Sequence, residues 1–472
     1  MLSRLRHRGQ DGEMLFETDG VTIGACKHNL QKNRTSPSMV VEDDMAVAAD
    51  SYLFNRDALQ LNLLGRVDPE VSDSQLVLDL FKRMGISALN YLNGAFTISI
   101  IKGNELILAR DRYGLKPMYI SLDEEIGSYS SEMKSQYITD EDFRPFPPGT
   151  IFSTVNGFQG IIPKVVRNYL EVDNEDTSLC LRALIERSIK QCANQSQSVN
   201  ILLSGGLDSS IIAAATAQHW HGIHTLCVGV EGCEDLDMAR KVAESLGTDH
   251  TERTYDVDEM VEVLEKVIYS LESFDLPLVR SSIPNYLATH AFSEKSCVTL
   301  CGEGADEIFG GYDHMVELDD ESLRSERNSL LLSGHLTGFQ RVDRMTSSAS
   351  LDGRMPFMDP AIIAYGLKIN AKDLVDGVHG LSKISLRRAY MGILPEEVAQ
   401  RRKKRFSDGA GSIEAMQNIA EHAITDVEFE RERSKVPMGR IRNKEELMYY
   451  RIFKEYFDTD SCMKAVGLTP RI

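Results

Sequence analysis

The sequence predicts two domains of different class: a strand-dominated α+β half, then an α/β half built on a parallel sheet with helices on both faces. Three observations carry this. Residues 13–120 hold short apolar runs that alternate or cluster between turn signals. "RPFPPGT" (Arg144 to Thr150) is rich in turn formers, and the pattern changes after "VVRNYLEVDNEDTS", which sets domains of 1–168 and 169–472. Beyond that point strands alternate with helices, as in parallel strands joined by crossovers.

The elements follow in order. The opening "MLSRLRHRGQDGE" reads as the end of a helix and the turn after it. "GVTIGACKHNL", "DMAVAADSYLF" and "AFTISIIKGNELILAR" read as strands. Between them Leu76, Val77, Leu80 and Phe81 give Ser74 to Gly85 a helix-period face, with Asp73 as its cap. "TSLCLRALIERSIKQCA" is an amphipathic helix, and "VNILLSGGLDSSIIAAATAQHW" is strand, loop and helix. "IHTLCVGV" is a strand, "LDMARKVAESLG" a helix, and "SCVTLCGEGADE" another strand running into a loop. The last third is mostly helical, with a polar tail from about residue 425.

Composition excludes several classes. With 42% hydrophobic and 26% charged residues, the chain is an ordinary globular protein. It has no run of 18 apolar residues and no apolar segment behind its basic start, so neither a membrane span nor a secretory signal is expected. The eight cysteines are scattered without CxxC pairs, which suits buried thiols in a reducing cytoplasm better than zinc or disulfides. A net charge of −19 repels phosphate backbones, so nucleic acid is not an expected partner.

"ILLSGGLDSS" carries the most chemistry. A buried strand feeds Ser204, Gly205 and Gly206, and a helix begins near Asp208. Glycines let backbone approach an anion, and the amides of a helix start favour phosphate. Ser204, Ser209 and Ser210 add hydroxyls. No GK[ST] exists in the chain, so this is not a Walker loop. SGGxDS instead resembles the pyrophosphate loop of the ATP pyrophosphatases, with Asp208 serving Mg²⁺. Amide formation, tRNA thiolation, lysidine formation and GMP synthesis all use such a loop. In "CGEGADEIFGGY", Glu303 follows an apolar strand, where loops of an open sheet form a ligand crevice. "RRKKRFSDG" places Lys403 in a basic cluster suited to charge developing on phosphate.

These segments, with "GRMPFMD", "LRRAYMGILPEEV" and "SFDLPLVRSSIPNYL", resemble the synthetase domain of the glutamine-using asparagine synthetases from about Val199 to Phe457. "RHRGQDG", "LNGAFTISI", "ARDRYGLKPMY" and "SSEMKS" resemble that family's glutaminase domain. The resemblance implies an Ntn-type β-sandwich followed by a PP-loop domain. It implies Ser204, Gly205, Gly206, Asp208 and Ser209 at the pyrophosphate of ATP, with Leu203 and Val228 at the nucleoside. Cys301 and Gly302 offer backbone to it, Cys301 standing where serine is usual. It implies Glu303 in formation of the aspartyl-adenylate and ammonia attack, Lys403 at charged intermediates, Asp208 and Asp306 at Mg²⁺, and Arg280 at aspartate. Pro277 and Leu278 stand where the bacterial enzyme has hydroxyl residues. A homodimer is also implied.

The family's glutaminase begins with a nucleophilic cysteine whose own α-amine is the base. Here Leu2 follows the initiator, and "RHRG" stands where an upstream strand is expected to precede it. Asp50-Ser51-Tyr52 aligns with the family's Asn-Gly-Glu triplet, and "ACKHNL" lacks the arginine for the glutamine carboxylate. Only Asp73 still matches the amine-binding acid. Cys26, inside a strand, is no substitute. A truncated, inactive glutaminase domain is therefore expected, either from real loss or from a start set too late. The reading is an asparagine synthetase using ATP, Mg²⁺, aspartate and ammonia. The competing readings are a relative closing another acid into a β-lactam, a silent pseudoenzyme, and a tRNA-modifying enzyme. Absent CxxC and the acidic surface weigh against the last.

Overall fold

The computed structural model describes residues 1–27, 38–122, 127–136, 142–164, 176–193, 196, 198–292, 296–377, 379–402, 413–437 and 439–469. The expected boundary between residues 168 and 169 lies outside these. The opening segment Leu2–Arg8 forms 3-10 turns, and Gly9 lies so close to the Lys27 carbonyl that a Cβ there would overlap it.

The first half is layered. Strands β1 (Glu13–Thr18) and β2 (Val21–Cys26) pair as a hairpin. Strands β3 (Met39–Glu42), β4 (Met45–Leu53), β5 (Gly94–Lys102) and β6 (Glu105–Arg110) form most of an antiparallel sheet. A small sheet uses β7 (Tyr119–Leu122), β8 (Gly127–Ser130) and β9 (Phe143–Pro145). Strands β10 (Thr150–Ser153) and β11 (Gly157–Gly160) complete the large sheet in the order β11-β10-β6-β5-β4-β3. Alternation sends Val47, Phe96, Ile98 and Ile100 to one face, under helix α1 (Asp73–Met84). It sends Ala46 and Ile101 to the other, against Ile23 and Met39, while Leu108 meets Met118, Ile120 and Phe146. Each of the larger of these side chains contributes about 1.5–3 kcal/mol of burial. The cap of α1 is Ser72, whose hydroxyl accepts from the Gln75 amide at 3.1 Å, and Asp73 is the first helical residue. Both residues suit a cap; the one whose backbone is extended takes the role.

The second half contains five parallel strands: β12 (Val199–Leu202), β13 (Ile223–Gly229), β14 (Asp249–Thr254), β15 (Val298–Leu300) and β16 (Asp352–Arg354), in the order β14-β13-β12-β15-β16. Helices α2 (Thr177–Ala193), α3 (Leu207–Ala217), α4 (Glu234–Leu246), α5 (Val257–Leu271), α6 (Leu276–Ala291) and α7 (Gly338–Ser348) surround it. The polar tail expected from about residue 425 carries a helix with a buried face: α8 (Lys444–Tyr456) buries Leu447, Tyr449 and Phe453.

The halves meet through buried charge. Arg344 reaches Glu272 at 2.8 Å and Glu132 at 3.2 Å, and none of the three is more than 1% exposed. Arg8 donates to Asp343, Glu132 and Asp50, and Lys116 lies 3.1 Å from Asp352. Buried ions lose hydration and persist only when fully paired.

His335 sits at the same interface. Burial and then the Arg110 guanidinium push its imidazole down to about 3, from an ordinary 6.5. Between these values the unfolded chain binds a proton that the folded chain does not, so stability is present above pH 6.5 and is lost as pH falls. His335→Gln is expected to flatten that loss, read as the urea midpoint at about pH 7.5 and about pH 5.5. Equal slopes would assign the loss elsewhere.

Candidate active site

Chain progression across the parallel sheet reverses between β12 and β15. Loops leaving the carboxyl ends of strands on either side of such a point diverge and leave a crevice. The loops after Leu202 and Leu300 do this, and a cavity of about 420 Å³ lies between them.

The first loop is tied tightly. The Leu203 amide still bonds to Leu226, at 2.9 Å. Gly205 has φ +66°, and a Cβ there would strike Met238 and the Ala239 amide, so only glycine lets α4 approach. The Ser204 amide donates to Ser209 Oγ at 3.2 Å, and the Ser209 and Ser210 hydroxyls donate to the Gly206 carbonyl at 3.2 and 2.7 Å. The start of α3 thus faces the cavity with its positive end and with Ser209, beside Ser204 of the loop. A Cβ on Gly302 would stand 2.9 Å from the Ser209 amide, which shows how closely the second loop abuts the first.

Leu203, Ser204, Gly206, Asp208, Ser209, Val228, Arg280, Cys301, Gly302, Glu303 and Asp306 all line this cavity. Gly205 stands behind it, against α4. Lys403 lies outside the described residues. Burial pushes the Cys301 thiol up to about 12, leaving it a small apolar wall. Arg280 donates its Nε to Glu445 at 2.7 Å, and the Tyr449 hydroxyl donates to the same carboxylate at 2.6 Å.

Three groups were not anticipated from the sequence. Lys383 is 2% exposed, and its ammonium joins the carboxylates of Asp208 and Asp306. Its φ of +57° is a left-handed conformation that costs a non-glycine residue about 1–3 kcal/mol, so its surroundings impose it. Arg341, on α7, pairs with Glu303 at 2.6 Å. Glu307 is buried and accepts from the Tyr312 hydroxyl at 2.6 Å; burial, with Glu303 and Asp306 beside it, pushes its carboxyl up to about 7. Lys383 and Arg341 sit in the stretches "LSKISLRR" and "GFQRVDRM", where several cations look alike and only the fold selects one.

A second cavity of about 220 Å³ lies between the halves, lined by Asp50, Ser51, Tyr52 and Asp73 of the first and by Arg354 of the second, among others. The Asp73 carboxylate accepts from Arg56 Nε at 3.1 Å and from Ser51 Oγ at 2.9 Å. Asp50 meets Arg8 and Lys116, each at 2.9 Å. Cys26 lies in β2, half-buried, with its thiol pushed up to about 11 by burial.

The family model for asparagine synthase matches residues 180–338 and 320–465, which span both crevice loops, Lys383 and α7. The chain belongs to the asparagine synthase family. Its class is therefore that of the ligases that form C–N bonds. The model of a glutamine amidotransferase domain matches residues 1–144. Full-length similarity agrees. "Asparagine synthetase B [glutamine-hydrolyzing]" of Escherichia coli (strain K12) is 29% identical over 505 residues, covering 100% of this chain and 90% of its own. "Asparagine synthetase [glutamine-hydrolyzing]" of Zea mays is 28% identical, covering 99% and 84%. "Asparagine synthetase [glutamine-hydrolyzing] 1" of Arabidopsis thaliana is 29% identical, covering 98% and 84%. Among the described residues no helix is long and apolar enough to cross a membrane.

Gly338, the first residue of α7, gives a test of this geometry. A Cβ there would collide with Glu303 Oε1. Gly338→Ala is expected to displace Glu303 from Arg341 and lower ligase turnover about a hundredfold, with thermal stability close to that of the parent. Turnover within about twofold of the parent would mean that the Glu303 position is unimportant.

Proposed function

We propose that the protein joins ammonia to the side-chain carboxylate of aspartate, using ATP. A carboxylate oxygen attacks the α-phosphorus and pyrophosphate leaves. Ammonia then attacks the acyl carbon, AMP departs, and asparagine is formed. The observation that carries this reading is that the two loops resembling the family's ATP and acid motifs line one cavity, at the switch point of the sheet.

Roles follow from placement. Ser204, Gly205, Gly206 and Ser209 are assigned to the pyrophosphate, where helix-start amides and hydroxyls meet anionic oxygen. Leu203 and Val228 offer an apolar wall to the nucleoside, and the backbone of Cys301 and Gly302 closes it. Asp208 and Asp306 share one buried cation already, so the pair brings two carboxylates to one point where Mg²⁺ would be held. Two carboxylates plus phosphate oxygens are the usual ligand set of that ion, which would neutralise charge on the leaving pyrophosphate. Glu303, held by Arg341, is assigned to orienting the attacking ammonia and taking up its proton. Lys403 is assigned to charge on the intermediates from resemblance alone. Arg280 lines the wall assigned to aspartate and is held there by Glu445.

We further propose that nitrogen enters as ammonia and that the first domain does not hydrolyse glutamine. Asp73, the one remaining match to an amine-binding acid, is engaged by Arg56 and Ser51. Asp50 replaces an amide of the family's triplet and is engaged by Arg8 and Lys116. A glutamine placed there would have to compete with these internal partners, each charged hydrogen bond being worth about 1.5–3 kcal/mol.

The test is pyrophosphate release and asparagine formation from Mg-ATP and aspartate, with ammonium or glutamine as donor. Asparagine from ammonium alone is expected. Asparagine from glutamine would overturn the account of the smaller cavity, and pyrophosphate without asparagine would point to another acceptor. Glu303→Gln is expected to abolish amide formation while ATP binding, measured by calorimetry, persists. Loss of ATP binding would reassign Glu303 to the architecture of the loop.

A further inference from the structure

Helix α7 touches both halves of the protein. Gly338, Arg341 and Val342 line the large cavity, and Ser347 lines the smaller one. Arg341 holds Glu303 at 2.6 Å. Two residues on, Asp343 accepts from both terminal nitrogens of Arg8, at 2.8 and 2.9 Å. The next residue, Arg344, is completely buried against Glu132 and Glu272. Glu132 is itself paired with Arg8, His7 and Lys134. Arg8 and Glu132 belong to the first half of the chain.

Residues two and three apart on a helix are separated by only about 3–4.5 Å along its axis. A shift at Asp343 or Arg344 therefore moves Arg341 by a comparable amount. The ionic contacts on either side are short and buried, so they have few alternative arrangements. The two-pronged pairing of Arg8 with Asp343 also fixes orientation, which a single contact does not.

We propose that the first domain positions the synthetase site: Arg8 and Glu132 fix α7 through Asp343 and Arg344, and α7 in turn fixes Arg341 against Glu303. Arg8, Asp343 and Arg344 are positioning residues. The domain is then required for synthesis, whether or not it acts on glutamine. The kinetic part of the test rests on the function proposed above; the exchange part does not.

The experiment uses the full chain with Arg8→Lys, which keeps the charge and loses the fork. Amide hydrogen exchange over residues 338–348 is expected to quicken in the ligand-free protein. With ammonium as donor, kcat is expected to fall about tenfold while KM for ATP stays within about twofold. Arg341→Gln is expected to lower kcat about a hundredfold, and adding Arg8→Lys to it to cost little more, because both act on one contact. A fully multiplicative loss in the double variant, or unchanged kcat in Arg8→Lys, overturns the proposal. Should Arg8→Lys fail to fold, Arg344→Lys repeats the series from the other side. If the unsubstituted protein makes no asparagine, the functional reading falls alone. Exchange then decides: unchanged protection over 338–348 overturns the positioning role, and faster exchange upholds it.

Discussion

Charge buried between the two halves must be paired, and the rest of the molecule is arranged around that requirement. Glu132, Glu272 and Arg344 are almost wholly removed from water. An unpartnered ion at that depth would cost several kcal/mol, so the partners must arrive together. They come from distant parts of the chain: Arg8 and His7 near residue 1, Lys134 between β8 and β9, Glu272 after α5, and Arg344 on α7. Replacing such a cluster by apolar groups is often neutral, so its worth to net stability is small. Its pairing does set which residues of the halves, α7 among them, lie against one another.

The crevice depends on a second constraint, the reversal of strand order. Because β12 and β15 are neighbours whose following connections run to opposite sides, their terminal loops are adjacent without being joined. Gly205 lets one loop sit against α4, and Gly302 lets the other abut α3. Two carboxylates, one from each loop, then come close enough to share the ammonium of Lys383. No single segment carries this arrangement; it exists only where the two loops meet.

Local chemistry made much of this readable beforehand. The helix Thr177–Ala193 and the strand, loop and helix around Ser204 have strong periodicity and glycine signals, and the structure places them as expected. Strand β14 was not anticipated, because "DHTERT" is an exposed edge with almost no apolar pattern. The tail after residue 425 reads as polar because charged residues fill its helices, although Glu445 and Glu446 among them are buried. Lys383, Arg341 and Glu307 escaped for a different reason. Their significance lies in partners far along the chain, and a cation or an acid in isolation does not announce its partner.

Net charge illustrates the same limit. A balance of −19 argues that the surface repels polyanions. Within the large cavity, however, Arg280, Arg341, Lys383, Arg387, Arg401 and Arg402 stand against Asp208, Asp235, Glu303, Asp306 and Glu307. Four of those acids, Asp208, Asp235, Glu303 and Asp306, meet a cation at 2.5–2.6 Å, well inside the roughly 8–10 Å at which salt screens exposed charges. The field that a polyphosphate meets at the end of its approach is set by these nearby groups and not by the sum over the surface. An acidic protein can therefore present a crevice suited to a nucleotide, provided that most acids facing the crevice are answered by cations held in place. Lys383, forced into a left-handed turn to reach two carboxylates at once, is the residue on which that balance is most concentrated.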